Sequence, residues 1–314
     1  MRIEELTDTG IMSDIVRSLL YYDIFDYPLT REELKDNCKL EPAQVESQFE
    51  ATLDRLVEQG LIYPLGEFFS VHNNPALAER RRQGNDRARE YMKIASERSQ
   101  FIMNFPFVKA VYLSGSISKN FMPEDGDIDY FVITEPKRLW IARTLLIMYK
   151  KIFLLNSRKF FCLNYFIDTR NLQIEEKNLF TATELLTLVP MCDSGCYPEF
   201  MEANQWAREL YPNFPLRQVE HNVGSQKPWW SAGMKWVLSG FLGEWMDGFF
   251  MRLTMNRWKQ KFGHFNSGDF DVAMKSRSYV SKHHPRNFQK RVMDAFAEKV
   301  VEFEKINQVS LKES

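Results

Sequence analysis

A glycine–serine turn joins two apolar segments of this chain, and the second segment opens with a pair of aspartates. The first segment, residues 108–113, leads into Gly115 and Ser116, and Asp127 and Asp129 stand at the start of the second. Short apolar runs bounded by Gly and Ser are typical of buried strands. Residues two apart in a strand point to the same side, roughly 6–7 Å from each other. The spacing therefore predicts a sheet with two converging carboxylates beside a tight turn.

This combination of residues suits the binding of a metal ion and a phosphate chain. Mg²⁺ prefers oxygen ligands and is usually held by one or two carboxylates together with substrate phosphates. Gly115 lets the backbone approach a phosphate without a side chain in between. Ser116 is predicted to open a short helix whose free N–H groups favour an anion, and Lys119 would add a positive charge. The alternative interpretation is a plain strand–turn–strand with two solvated acids.

Gly115, Ser116, Asp127 and Asp129 follow the pattern hydrophobic–Gly–Ser, a gap, then Asp–hydrophobic–Asp. In this pattern the chain resembles the DNA polymerase-beta-like nucleotidyltransferase superfamily, over about 60 residues from Val108 onward. The resemblance implies a core with a small mixed sheet that binds an NTP, most simply ATP, with Mg²⁺ or Mn²⁺. It implies transfer of a nucleoside monophosphate with release of pyrophosphate, and catalytic, metal-binding roles for Asp127 and Asp129. It does not specify the acceptor.

The family usually carries a third acid on a later strand, and here the pattern differs. Residues 158–168 are predicted to form that strand, with Asn164 at its middle and Asp168 at its end. An Asn can offer an oxygen to a metal ion but cannot accept a proton. Asp168 would share the face of Asn164 if the strand continued, or it would start a turn. Both residues are therefore candidate site residues.

Length and composition predict a multi-domain chain of ordinary globular character. The 314 residues are 44% hydrophobic and 26% charged, with a net charge of −1, which does not suit a general nucleic-acid binder. The first residues lack an apolar signal core, no apolar run is long enough to span a bilayer, and four scattered cysteines lack metal-site spacing. A cytoplasmic protein that does not bind membranes is expected.

The first segment, residues 1–74, is predicted to be a separate winged-helix-like domain. Ser13–Asp14 would cap a first helix, Thr30 and Glu33 form a capping box for a second, and a third ends at Gly60 before a two-stranded hairpin. Between residues 14 and 67 there are twelve acidic and five basic residues, a net charge of −7. Because phosphate neutralisation supplies most non-specific DNA affinity, DNA binding is not favoured, and contacts with proteins are the expected use of this surface.

The remaining segments complete a predicted α/β (α+β) architecture. Residues 75–106 form a polar connecting helix, residues 107–172 the nucleotidyltransferase core, and residues 173–314 a helical C-terminal domain. Its aromatic residues, among them Trp229, Trp230 and Trp236, are predicted to pack in a bundle against the sheet rather than on a membrane surface, with base stacking as the functional alternative.

Two later patterns are weaker candidates for a functional site than Asp127 and Asp129. Asp269 and Asp271 repeat the Asp-x-Asp spelling but lack a glycine–serine strand before them, which favours the start of a helix. The basic segment 282–286 favours a surface turn. Two other functions stay open: a catalytically weak or inactive NTP-binding regulator of the same fold, suggested by Asn164, and a winged-helix DNA-binding regulator.

Overall fold

The computed structural model describes residues 10–157, 159–222, 227–262, 274–282 and 287–311. Within them the chain is a mixed α/β structure with one three-stranded and one seven-stranded sheet. The helices in chain order are α1 (Gly10–Asp23), α2 (Arg31–Asp36), α3 (Pro42–Glu58), α4 (Pro75–Met103), α5 (Leu139–Phe153), α6 (Leu179–Thr187), α7 (Tyr197–Ala203), α8 (Gln205–Leu210), α9 (Trp229–Leu238), α10 (Phe241–Lys261) and α11 (Phe288–Asn307). The strands are β1 (Leu29–Thr30), β2 (Tyr63–Leu65), β3 (Phe68–Ser70), β4 (Val108–Ser114), β5 (Asp129–Thr134), β6 (Cys162–Asp168), β7 (Val189–Asp193), β8 (His221–Asn222), β9 (Ser276–Arg277) and β10 (Val280–Lys282).

The N-terminal segment packs α1, α2 and α3 beside a small sheet of order β1-β3-β2. The predicted capping box is present, because the Thr30 side chain accepts from the N–H of Glu33 while the Glu33 carboxylate accepts from that of Thr30. The predicted cap at Ser13–Asp14 is wrong. The helix begins earlier, at Gly10, and the buried Asp14 carboxylate instead accepts from the backbone N–H of Lys39.

The long helix α4 is held against this N-terminal segment by a buried arginine. Arg81 forms an ion pair with Glu33, with the two charged groups 2.6 Å apart, and donates to the carbonyl of Pro28. Its guanidinium also lies 3.6 Å from the centroid of the Tyr27 ring. The helix that was predicted to be a solvated connection is therefore anchored at this point by a desolvated charge.

The substitution Arg81→Met is expected to lower the free energy of unfolding by about 3 kcal/mol, because it removes the buried guanidinium and leaves the partly buried carboxylate of Glu33 without its counter-charge. Urea unfolding would measure this loss. Arg82→Met is the matched control, since Arg82 pairs with Glu67 in solvent and such pairs add little to stability. Equal losses in the two variants would contradict the assignment.

The large sheet has the order β8-β7-β4-β5-β6-β10-β9 and is mixed. Strand β5 is antiparallel to β4 and parallel to β6, and the crossover between β5 and β6 contains α5. Side chains alternate between the two faces, as strand geometry requires. Tyr130 and Val132 pack with α4 and α5, while Phe131 and Ile133 pack with α6 and α7 on the other face.

The C-terminal part differs from the helical domain predicted for residues 173–314. Four strands of this segment, β7 to β10, belong to the same sheet as β4, β5 and β6. These strands are two to five residues long, which is too short for a periodic apolar pattern to reveal them. The last helix, α11, packs its apolar side chains into the core around α1.

Within the described part of the chain, no helix is both long enough and apolar enough to cross a lipid bilayer.

Candidate functional site

Strand pairing brings the glycine–serine turn and the two aspartates to one edge of the large sheet. Ser114, the last residue of β4, pairs with Asp129, the first residue of β5. Asp129 also pairs with Cys162, the first residue of β6. The turn that follows β4 and the loop that precedes β5 therefore meet at the same place, although they are separate in sequence.

Asp127, Asp129 and Cys162 form a compact group of side chains that can ligate a metal ion. One ligand atom from each residue lies within 4.8 Å of the others. Asp127 is in the loop two residues before β5, and Cys162 is buried. The donor set of two carboxylate oxygens and one sulfur fits a divalent cation, since carboxylates suit Mg²⁺ and Mn²⁺ and a thiol adds affinity for softer ions.

Glycine is the residue type that position 115 of the turn requires. Its φ is +71°, in the left-handed region that side chains disfavour, and a Cβ atom placed there would lie 2.5 Å from Oδ2 of Asp129. The Ser118 hydroxyl donates to the Gly115 carbonyl at 2.8 Å and closes the turn. The backbone of the turn therefore lies directly against the carboxylate of Asp129.

Ser116 precedes a 3-10 helix of only three residues, Ile117–Lys119, and its side chain makes no capping hydrogen bond. The expected anion-binding helix terminus is not supported, because so few aligned peptide units produce little dipole. Lys119 lies at the turn, where its ammonium donates to the Gly115 carbonyl at 3.1 Å. The groups beside the aspartates are therefore the partly exposed backbone of the turn and one lysine.

Glu184 is a site neighbour that the sequence does not reveal. It lies on α6, and its Oε1 is 2.7 Å from the ammonium of Lys119. A single Glu on an amphipathic helix carries no local signal, and only the packing of α6 against the sheet places it here. The sequence pattern therefore does not predict its ion pair with Lys119.

Asn164 occupies the middle of β6 and contacts the site through a break in the strand register. Tyr130 pairs with Leu163 while Phe131 pairs with Tyr165, so Asn164 is an additional residue in a β-bulge. Its amide donates to Oδ1 of Asp129, and the Cys162 thiol donates to its oxygen at 3.2 Å. Asn164 thus lines the site as a hydrogen-bond donor to the carboxylate.

Asp168 does not join the site. It ends β6, pairs in register with Thr134 and is buried, and its Oδ1 accepts from the backbone N–H of Arg170 and the amide of Asn171. It stands six positions after Cys162, which is about 20 Å along a strand. Asp168 therefore starts a turn, which was one of its two predicted roles. The other prediction, a catalytic role, is wrong.

The site strongly disfavours a second negative charge. Burial, and next the charge of Asp127, raise the pKa of Asp129 to about 8; a hydrogen bond from Cys162 opposes this rise, and the charges of Glu184 and Lys119 make smaller contributions of opposite sign. Burial also raises the pKa of the Cys162 thiol. Like-charged carboxylates held together without a counter-ion are a common feature of binding and catalytic sites.

The N-terminal segment contacts the turn directly. The Tyr27 hydroxyl donates to the carbonyl of Lys119, and the guanidinium of Arg217 donates to the carbonyl of Ser118 at 3.4 Å. The ring of Phe121 lies edge-on to Tyr27. The turn is therefore contacted by two separate parts of the chain, around Tyr27 and around Arg217.

Other candidate residues lie elsewhere. Trp230 packs on Phe105, which precedes β4, and so it lies at the end of that strand opposite the turn. Trp229 and Trp236 are exposed, contrary to the expectation that they belong to a core. Asp269, Asp271 and residues 283–286 of the basic segment lie outside the described residues.

Comparisons of this chain with protein-family models, with curated proteins and with solved structures find no match.

Proposed function

We propose that this protein is a metal-dependent nucleotidyltransferase, which transfers a nucleoside monophosphate from an NTP to an acceptor and releases pyrophosphate. The observation that carries the proposal is the contact between the Gly115 turn and the Asp127–Asp129 pair at one sheet edge. The resemblance of this segment to the polymerase-beta-like superfamily supports the same function. ATP is the simplest NTP substrate.

Asp127 and Asp129 would hold a divalent cation, and Cys162 completes a third side of the group. The bound cation would neutralise charge on the phosphate chain, which lowers the barrier to displacement at phosphorus. The raised pKa of Asp129 supports this use, because a carboxylate that repels its neighbours gains most when a cation is bound.

The turn would bind the phosphates through backbone. Gly115 adds no side chain to the turn, and Glu184 would hold the Lys119 ammonium there, where it can contact a phosphate oxygen. The nucleophilic oxygen or nitrogen of the acceptor attacks the α-phosphorus in line, the bond from that phosphorus to the bridging oxygen breaks, and pyrophosphate leaves. Because Asn164 cannot take a proton, the proton of the acceptor passes to solvent water.

The substitution Glu184→Gln is expected to raise the KM for the NTP about tenfold with little change in kcat, because it frees Lys119 from its position at the turn. Steady-state kinetics of pyrophosphate release would measure this. Glu199→Gln, an exposed change in the first turn of α7, is the matched control. A fall in kcat at constant KM would show instead that Glu184 acts on the transition state.

The proposal is tested with NTPs labelled separately at the α- and γ-phosphates, Mg²⁺ or Mn²⁺, and a panel of hydroxyl and amine acceptors. We expect the α-label on an acceptor and the γ-label in pyrophosphate. Both should be lost in the Asp127→Ala, Asp129→Ala double variant. Pyrophosphate release that persists in that variant, or γ-label appearing as orthophosphate or on the acceptor, would overturn the proposal.

A second candidate, an NTP-binding regulator without turnover, is favoured by one observation. Asn164 and the buried thiol of Cys162 stand beside Asp129, where a third carboxylate would take the proton of the acceptor. Metal-dependent NTP binding without label transfer to any acceptor would select this function over the first.

A further inference from the structure

Helices α9 and α10 expose a set of large apolar side chains that no described part of the chain covers. Trp229, Trp236 and Phe241 are 86%, 83% and 85% exposed. We name the whole set the tryptophan surface; it consists of Trp229, Trp236, Val237, Phe241, Leu242, Trp245, Phe249 and Leu253. Large exposed apolar patches mark surfaces that bind a partner or a membrane.

The tryptophan surface is continuous across the turn between the two helices. Helix α9 ends at Leu238 and α10 begins at Phe241, so exposed residues flank the turn on both sides. Gly243 lies so close to α9 that a Cβ atom would be 1.8 Å from the carbonyl oxygen of Leu238. Along α10 the exposed stripe continues at helical spacing through Trp245 and Phe249, whose rings stack 5.8 Å apart.

The same face of α10 becomes basic towards its end. From Gly248 to Phe262 the sequence contains no acidic residue, and it contains Arg252, Arg257, Lys259 and Lys261, all exposed. The two acids of α10 are engaged elsewhere: Glu244 pairs with Lys137, and the buried Asp247 accepts from the first N–H groups of α5. The surface thus combines exposed aromatic residues with positive charge.

We propose that the tryptophan surface docks on a membrane that contains anionic lipids. Tryptophan is enriched at the boundary between lipid headgroups and acyl chains. Helices that lie in this boundary present Trp, Phe and Leu with flanking Lys and Arg, and their basic residues are attracted to anionic headgroups. The composition of this surface matches both requirements.

The charge distribution disfavours a second copy of the chain as the occupant. A symmetric dimer would place the surface against itself. The charged residues beside it from Gly248 to Phe262 are all basic, so a second copy offers no complementary charge there. An anionic bilayer supplies that charge over the whole area.

The surface lies at the sheet edge opposite the candidate active site. Lys235 of α9 pairs with Glu135, and Leu238 accepts from Arg138, two residues that follow the end of β5. Asp129 is at the start of β5. Docking would therefore leave the turn and the carboxylates facing away from the bilayer, and the inference stands independently of the proposed function.

The test is flotation of the full chain with vesicles of phosphatidylcholine alone or mixed with phosphatidylglycerol, together with tryptophan emission. We expect binding to the mixed vesicles, with emission at shorter wavelength, and much weaker binding to pure phosphatidylcholine. The variant Trp236→Ser, Trp245→Ser, Phe249→Ser should reduce partitioning about 100-fold. Val301→Ser, Ile306→Ser, which changes exposed apolar residues of α11, is the matched control and should bind as the unchanged chain does.

Three results would overturn the inference. They are absence of binding to both kinds of vesicle, equal binding to both, and a dimer by light scattering that the triple variant converts to a monomer. The dimer would make the surface an interface between copies. The first two results are measured on the unchanged chain, so they do not depend on whether the triple variant folds.

Discussion

The Asp129→Asn variant is expected to be more stable than the unchanged chain at pH 8 and at least about 10³-fold less active. The loss of activity follows, under the proposed function, from removal of one of the two carboxylates that would hold the cation. The gain in stability follows from removal of a charge that the folded site disfavours. Few substitutions of partly buried polar residues stabilise a protein, so this combination would mark Asp129 as part of a functional site.

The pH dependence of this gain has a definite sign. The pKa of Asp129 is about 8 in the folded chain, against an ordinary value of 3.8. Between these values the folded state binds the proton that the unfolded state has released, so the stability of the unchanged chain falls as the pH rises from about 4 to about 8. The variant lacks this loss. Because the carboxylate is partly exposed and screened by solvent, we expect a difference of about 2 kcal/mol at pH 8.

Urea unfolding at pH 4 and pH 8, in the presence of a metal chelator, measures the effect. The difference between Asp129→Asn and the unchanged chain should be small at pH 4 and large at pH 8. Asp125→Asn, an exposed substitution in the same loop, is the control and should show no such dependence. A variant that is less stable at both pH values would contradict the raised pKa of Asp129, which burial and the charge of Asp127 produce.

The second large effect is expected for Gly115→Ala. The added Cβ atom would lie 2.5 Å from Oδ2 of Asp129, so that either the turn or the carboxylate must shift. Misplacement of a catalytic group by about 1 Å costs on the order of 10²-fold in rate. We therefore expect metal-dependent pyrophosphate release to fall by about 10²-fold or more.

Gly60→Ala separates this effect from backbone strain. Gly60 has a φ of +68°, close to the +71° of Gly115, and nothing lies within 4 Å of a Cβ atom built there. Both variants should lose at least about 1 kcal/mol of stability, because both place Ala in the left-handed region; Gly115→Ala loses more, because its Cβ atom also meets Asp129. Only Gly115→Ala should lose activity. Equal activities, measured by pyrophosphate release, would show that the turn does not act on the carboxylates.

The sequence was sufficient to predict the local elements that carry the site. The apolar runs that became β4 and β5 predicted strands, and the two-residue spacing of Asp127 and Asp129 predicted that their carboxylates would lie together. Gly115 and Ser116 were expected to form a turn after the first strand, and the φ of +71° at Gly115 is that of a turn glycine. These features depend on residues that are close together in the sequence, so the sequence pattern is enough to predict them.

The missed features depend on distant parts of the chain. Asn164 and Asp168 could not be separated as site residues, because a β-bulge leaves no periodic signal and the end of β6 is determined by its neighbours. Glu184 reaches Lys119 only through the packing of α6. Trp236 was predicted to pack in a bundle, but it is exposed. Helical spacing of aromatic residues shows that they share one face of a helix, but it does not show what covers that face.

The central claim is that Asp127 and Asp129 bind a divalent cation together with a phosphate chain on the Gly115 turn. Equilibrium binding of an α,β-methylene ATP analogue, titrated with Mn²⁺, tests it without knowledge of the acceptor. Binding should require the metal in the unchanged chain, and the Asp127→Asn, Asp129→Asn double variant should lose this metal dependence. Nucleotide binding that is the same with and without Mn²⁺, or unchanged in the double variant, would contradict the account.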